Sequence, residues 1–183
     1  MLSTVGVLIA AVTATSATMT MQLDLAQIVA AAGRAFVGRV VAVHAGRDQA
    51  GIPSTWVTFT VDQVVKGTLH GDVTIKQFGT ATRLEDGSLL RMPGLPTYAV
   101  GEEMVVFLSG ESEAGFSSPI GLAQGKFPII RHAGHAMVAA TAENARALRS
   151  VRRLDKPPPT TAEIPLNDFL DQIAQLVAQS NRQ

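Results

Sequence analysis

His132 and His135 are separated only by Ala133-Gly134. In a two-residue hairpin turn they would sit across from one another, where both could face a single metal ion. Two imidazoles make half a zinc site, because the ion takes about four ligands. No carboxylate or third histidine with a matching spacing accompanies them, and His44 and His70 belong to other segments. A solvated turn is the simpler reading, so neither a metal nor any other cofactor is expected. Histidine supports a second chemistry, hydrolysis, if folding brings His132 or His135 within about 2.6–3.2 Å of a carboxylate or hydroxyl in a cleft.

Other catalytic groupings are missing. The chain has no cysteine, which excludes disulfide staples, thiolate zinc sites and a cysteine nucleophile. There is no Gly-x-Ser-x-Gly, no phosphate-binding Walker loop and no Gly-x-Gly-x-x-Gly after a strand. The one basic cluster, Arg146, Arg149, Arg152, Arg153 and Lys156, has no interleaved aromatic residue. It reads as a solvated helix end, not a nucleic-acid surface. Fifteen basic and fifteen acidic side chains balance, so no overall field draws the chain to nucleic acid or an anionic membrane.

The residues best suited to binding lie in two irregular stretches. Gln124-Gly125-Lys126-Phe127 places a glycine inside an apolar run. There it admits another backbone or a ligand, flanked by polar side chains. Arg91 to Tyr98 contains Pro93-Gly94-Leu95-Pro96, which excludes both helix and central strand. The candidate binding residues are Arg91, Tyr98, Gln124, Lys126 and Phe127, meeting at one rim. A bulge and a rigid corner would explain the same residues without a ligand.

The elements that hold these loops are mostly strands. Asp24 and Gln27 form a helix-start signature with Leu23 packing on Ile28, and Leu25, Ile28, Val29 and Ala32 share one face. Gly33 is expected to end that helix in the left-handed conformation. Phe36 to His44 is a two-sided apolar strand. Val57, Phe59 and Val61 alternate with polar residues until Val64-Val65 break the phase, as a bulge does. Asp72 to Phe78 returns beside them. Asp86-Gly87 marks a small hairpin, and Met104 to Leu108 a central strand. Ile120 to Ile130 reads as a strand interrupted at Gln124 to Lys126, with Ala136 to Ala140 pairing back on it. Ala142 to Arg153 reads as a short helix, Lys156 to Pro159 as an extended spacer, and 167–179 as a final helix. Its stripe of Phe169, Leu170, Ile173, Leu176 and Val177 is expected to pack on the body.

At 183 residues the chain suits one core. Residues 1–20 differ from the rest: Val5 to Val12 is apolar but too short to span a bilayer, and small residues follow at Thr13 to Ala17. That order is the pattern of a secretory signal peptide. The positive segment that normally opens one is missing, since Arg34 is the first basic residue, which fits a true start further upstream. The expected organisation is a signal peptide at 1–20 and a single domain at 21–183. The expected location is extracytoplasmic, periplasmic or secreted, with no integral membrane span once the signal is removed.

The segments AFVGRVVAV, VTFTVDQVVKG, DVTIKQF, YAVGEEMVVFL, GLAQGKFPI and LNDFLDQIAQLV together resemble a group of exported bacterial proteins of unassigned function. They also resemble the netrin-like module, the domain type of tissue inhibitors of metalloproteinases. The resemblance covers residues 23 to 180 on short motifs. It implies a mainly β fold, a closed OB-type five-stranded barrel covered by an N-terminal and a C-terminal helix. It points toward a protease-associated role, but the animal inhibitors chelate zinc through an N-terminal cysteine that this chain lacks, so their mechanism maps onto no residue here. The expected function is a non-catalytic exported module that binds a protein or peptide partner. The alternatives are a hydrolase with a spatially assembled histidine and carboxylate, or a structural envelope protein.

Overall fold

The structure, a computed structural model, describes residues 21–151 and 163–180. The proposed signal segment, Arg152, Arg153 and the Lys156 to Pro159 spacer lie outside the described residues.

Helix α1, Leu25–Ala31, begins as its sequence dictates. The Asp24 carboxylate accepts from the Gln27 backbone N–H, and the Gln27 side chain accepts from the Asp24 N–H, each at 2.9 Å. Leu25, Ile28, Val29 and Ala32 are buried. The helix does not leave through a left-handed Gly33: Ala32 is already extended, and the Gly33 N–H donates to the Leu108 carbonyl. Gly33 serves instead as a point of close approach, since a Cβ there would lie 3.2 Å from the Gly110 nitrogen.

Two long strands follow, β1 (Arg34–Arg47) and β2 (Pro53–Lys66). Their antiparallel pairing shifts register at three places, leaving Val65, Asp62 and Val41 without opposite partners. The expected bulge is therefore present, with two more. The other strands are β3 (Val73–Phe78), β4 (Glu103–Leu108), β5 (Lys126–His132), β6 (His135–Ala139) and β7 (Glu163–Pro165). Helix α2 is Ala145–Arg149, shorter than expected, and helix α3 is Leu166–Ser180.

The sheet has seven strands in the order β3-β2-β1-β4-β5-β6-β7, all antiparallel. The fold is mainly β, but the expected closed five-stranded barrel is not formed. β5 pairs with β4 over only Met104 to Val106 and then leads into the β5–β6 hairpin and β7, so β3 and β7 remain separate edges. β3 meets one isolated bridge, from Lys76 to Phe116. Bulges and two-sided strands signal curvature, and the extra strands spend that curvature on an open, coiled sheet.

The two faces of β4 explain its unbroken apolar sequence. Val105 and Phe107 enter a core with α1, α2, α3, Phe127, Ile129, Val138 and Ile164. Met104, Val106 and Leu108 enter a second core with Phe36, Val40, Val57, Phe59, Val73 and Ile75. In α3, Phe169 and Ile173 are fully buried, and Leu170, Leu176 and Val177 pack against the first core. Among the described residues no helix is long and apolar enough to cross a membrane.

Two local readings are also revised, and one short strand had not been expected. Ile120 to Gly125 is no strand: Leu122–Gly125 is a 3-10 turn that delivers the chain to β5. Asp86-Gly87 does make a turn, with the Gly87 N–H on the Leu84 carbonyl at 2.9 Å, but no strands flank it. The short β7 had no signal beyond Ile164, whose burial comes from pairing with Val138.

Candidate functional site

The second core changes character toward one end of the sheet. Along β3 the inward residues are Val73, Ile75 and then Gln77; along β2 they are Phe59, Val57 and then Thr55, and Thr55 stands opposite Gln77. The chain after β3 folds back over this polar end. The Gly79 N–H donates to the Pro53 carbonyl and the Thr80 N–H to the Leu90 carbonyl, both at 2.8 Å. The Thr55 hydroxyl donates to the Gly79 carbonyl at 2.8 Å, and Gln77 Nε2 to the Pro96 carbonyl at 3.0 Å. Gly79 has φ +84°, and a Cβ there would lie 2.5 Å from the Leu90 oxygen, so only glycine makes this turn.

Between loop 79–98 and the sheet lies a pocket of about 360 Å³, within the range of small-ligand sites. Val43, Phe78, Leu90, Met92, Leu95 and Pro96 give it apolar walls, and Arg91 is its one charged lining residue. Gln77, Thr80 and Tyr98 also line it. Gln77 Oε1, Thr80 Oγ1 and the Tyr98 hydroxyl are sealed from solvent and have no hydrogen-bond partner. An unpartnered buried polar group costs about 1–3 kcal/mol, and these three belong to residues that line one pocket.

Tyr98 joins pocket and core. Its ring meets Phe59 edge to face, 5.7 Å between centroids, and Lys126 Nζ lies 4.6 Å from the ring centre. Lys126 also donates to the Thr97 carbonyl at 2.7 Å and to Glu102 at 2.9 Å. Burial, reinforced by the nearby Glu102 charge, pushes the Tyr98 phenol above its ordinary range. Tyr98 is thus a neutral hydrogen-bonding group and no general base at neutral pH.

The five sequence-derived candidates separate. Arg91 and Tyr98 line the pocket, and Lys126 braces it from behind by holding Thr97 and Glu102. Gln124 is a buried clamp on the chain before α1: its Oε1 accepts from the Leu23 N–H at 2.8 Å and its Nε2 donates to the Met21 carbonyl at 3.0 Å. Phe127 is fully buried between Phe107 and Phe169. Gln77 and Thr80 were missed, although the inward phase Val73, Ile75, Gln77 already marks Gln77 as a polar residue on the buried face.

The histidine turn forms as a hairpin, with His132 opposite His135 and positive φ at Ala133 and Gly134. His132 Nε2 lies 3.2 Å from Glu163, but its side chain is 61% exposed and His135 is exposed as well. The pair therefore lies on open surface. No group of three or more metal-ligating side chains occurs among the described residues.

The far end of the pocket loop is pinned through Asp86, which accepts from Arg47 Nε at 2.8 Å and from the Ser88 N–H at 2.8 Å. Hydrogen bonds from Ser88, then Arg47, lower its pKa from 3.8 to about 2. A depressed carboxylate pKa means that the tie is complete above the ordinary carboxylate range and is lost as pH falls through about 2. A carbon-detected NMR titration of Asp86 should show that low midpoint, whereas a midpoint at 3.8 would mean that the turn is detached in solution. Against known proteins, the chain matches no family model, no curated protein and no solved structure.

Proposed function

We propose that this chain is an exported, extracytoplasmic, non-catalytic binding module for a protein or peptide partner, and that the pocket under loop 79–98 receives a neutral, hydrogen-bonding side chain of that partner. The observation that carries this reading is the apolar-walled pocket under loop 79–98, whose lining includes Gln77, Thr80 and Tyr98, side chains able to hydrogen-bond an occupant. Gln77 Oε1, Thr80 Oγ1 and the Tyr98 hydroxyl are sealed in the free protein, so the occupant meets them as loop 79–98 shifts on binding, and the hydrogen bonds it then supplies offset their desolvation cost. Apolar walls supply contact area, and the polar atoms supply orientation. The Tyr98 phenol, held neutral, suits recognition, and the solvated His132–Glu163 pair offers no second, enclosed site.

Thr80→Val tests the reading because it removes one unpartnered hydroxyl at nearly constant volume. Stability is expected to rise by about 1 kcal/mol, seen as an upward shift of a few degrees in the thermal midpoint. Peptides selected on the wild-type protein from a displayed heptapeptide library should bind the variant about tenfold more weakly, the equivalent of one lost hydrogen bond. A lower melting point together with unchanged peptide affinity would sink the assignment of the pocket.

A further inference from the structure

β1 is fourteen residues long, yet β4 follows it only from Arg34 to Arg39. Val40 is the last residue served on that side, donating to the Glu102 carbonyl and accepting from the Gly101 N–H. The bulge at Val41 then bends the strand out of line with β4. From Ala42 to Arg47, β1 pairs with β2 alone. No backbone bond among the described residues reaches its other edge.

This open edge is not guarded in the usual way. Val41-Ala42-Val43-His44-Ala45-Gly46 contains no lysine, proline or acidic residue, the devices that ordinarily protect an edge from pairing. Val41 and Val43 are 40% and 38% exposed. The edge is also bounded. At one end stand Gly101 and Glu102, bonded to Val40; at the other, Arg47 is held by Asp86 and Ser88. Six residues of strand span about 20 Å, which is room for one short segment. Val43 belongs both to this edge and to the pocket lining.

Resting on the proposed binding role, we infer that the partner is captured by strand addition. An extended segment of about six residues pairs with Ala42 to Arg47, and one of its side chains enters the pocket beside Val43. Alternate N–H and C=O groups of β1 supply main-chain affinity, and the pocket supplies selectivity, the division of labour of β-augmentation. Charge narrows the occupant further. Arg39 is paired with Glu103 and Arg47 with Asp86, so the edge between them favours a neutral segment. Arg91 makes only a 3.3 Å bond to the Ala81 carbonyl and favours an acidic residue at the pocket mouth. The fitting segment alternates apolar residues, carries Asn, Gln, Ser or Thr at the pocket position, and has no basic residue next to Arg91.

The test uses the full chain, the strongest heptapeptide from the displayed library, and the same peptide N-methylated at alternate backbone nitrogens in each of the two phases. Strand addition predicts that one phase of N-methylation weakens binding at least tenfold while the other is tolerated. It also predicts that peptide slows amide hydrogen exchange within 42–47, and that Gln77→Leu and Thr80→Val weaken the peptide without changing which phase matters. Binding that ignores both phases but falls in the pocket variants overturns strand addition and leaves the pocket reading standing. Binding that ignores the pocket variants, or a library that yields no peptide protecting 42–47, overturns the inference. So does a dimer whose 42–47 amides are protected before peptide is added, since the edge would then belong to a second copy.

Discussion

Phe127→Ala is expected to destabilise the protein by about 3–5 kcal/mol, the usual cost of emptying a buried aromatic site. Phe127 has no exposed surface. Its ring meets Phe107 at 5.6 Å and Phe169 at 4.9 Å between centroids, so it joins β5 to β4 on one side and to α3 on the other. Removing it opens a cavity between two rings that cannot both move in, because Phe107 is fixed on a strand buried on both faces and Phe169 on a helix anchored by Ile173. Domains of this size are stable by about 5–15 kcal/mol, so a large share of the total is at stake. Chemical denaturation of the variant measures it. A loss below about 1 kcal/mol accompanied by weaker peptide capture would return Phe127 to the partner surface.

Gly125→Ala should rank with it, although it adds only one methyl group. A Cβ at Gly125 would lie 2.7 Å from the Ile120 nitrogen, 2.8 Å from the Phe107 oxygen and 3.0 Å from the Ile120 oxygen. All three are backbone atoms, so no side chain can rotate out of the way. The same atoms are already bonded: the Ile120 N–H donates to the Phe107 carbonyl, and the Gly125 N–H to the Ile120 carbonyl. Overpacking typically costs about 1–3 kcal/mol; with these two bonds strained as well, a loss of about 3 kcal/mol or more is expected. The variant should melt well below wild type by calorimetry. A melting point within a degree or two of wild type would mean that the 3-10 turn shifts freely and that the close approach is not structural.

These two positions also show what a sequence can and cannot say about a site. Gly125 signals that something comes close, and something does, but it is the chain's own backbone at Ile120 and Phe107. Gln124 looks like a polar contact beside it and is spent on Leu23 and Met21, residues about a hundred positions away. That Arg91 and Tyr98 stand in an irregular loop was legible, because prolines and a glycine exclude helix and central strand there; that this loop roofs a pocket was not. Gln77 was half legible, through its inward phase on β3. Thr80 carried no signal at all, since its burial depends on loop 79–98 folding back on the sheet.

What the sequence by itself determined is local. The capping box at Asp24 and Gln27, the alternation along β2, its bulge, the histidine hairpin and the apolar stripe of α3 are all written in the order of residue types along short stretches of the chain, where backbone geometry and side-chain type leave few options. The absence of cysteine likewise settled which mechanisms were out of reach. Only the tertiary structure decided that the sheet stays open, with β5, β6 and β7 extending it away from β3. It alone decided that β4 abandons β1 at the Val41 bulge and that three polar groups on residues lining one pocket are left without partners. Those outcomes depend on which distant segments win the competition for each strand edge and each buried donor or acceptor, and that competition is between residues whose separation in sequence carries no record of their contact.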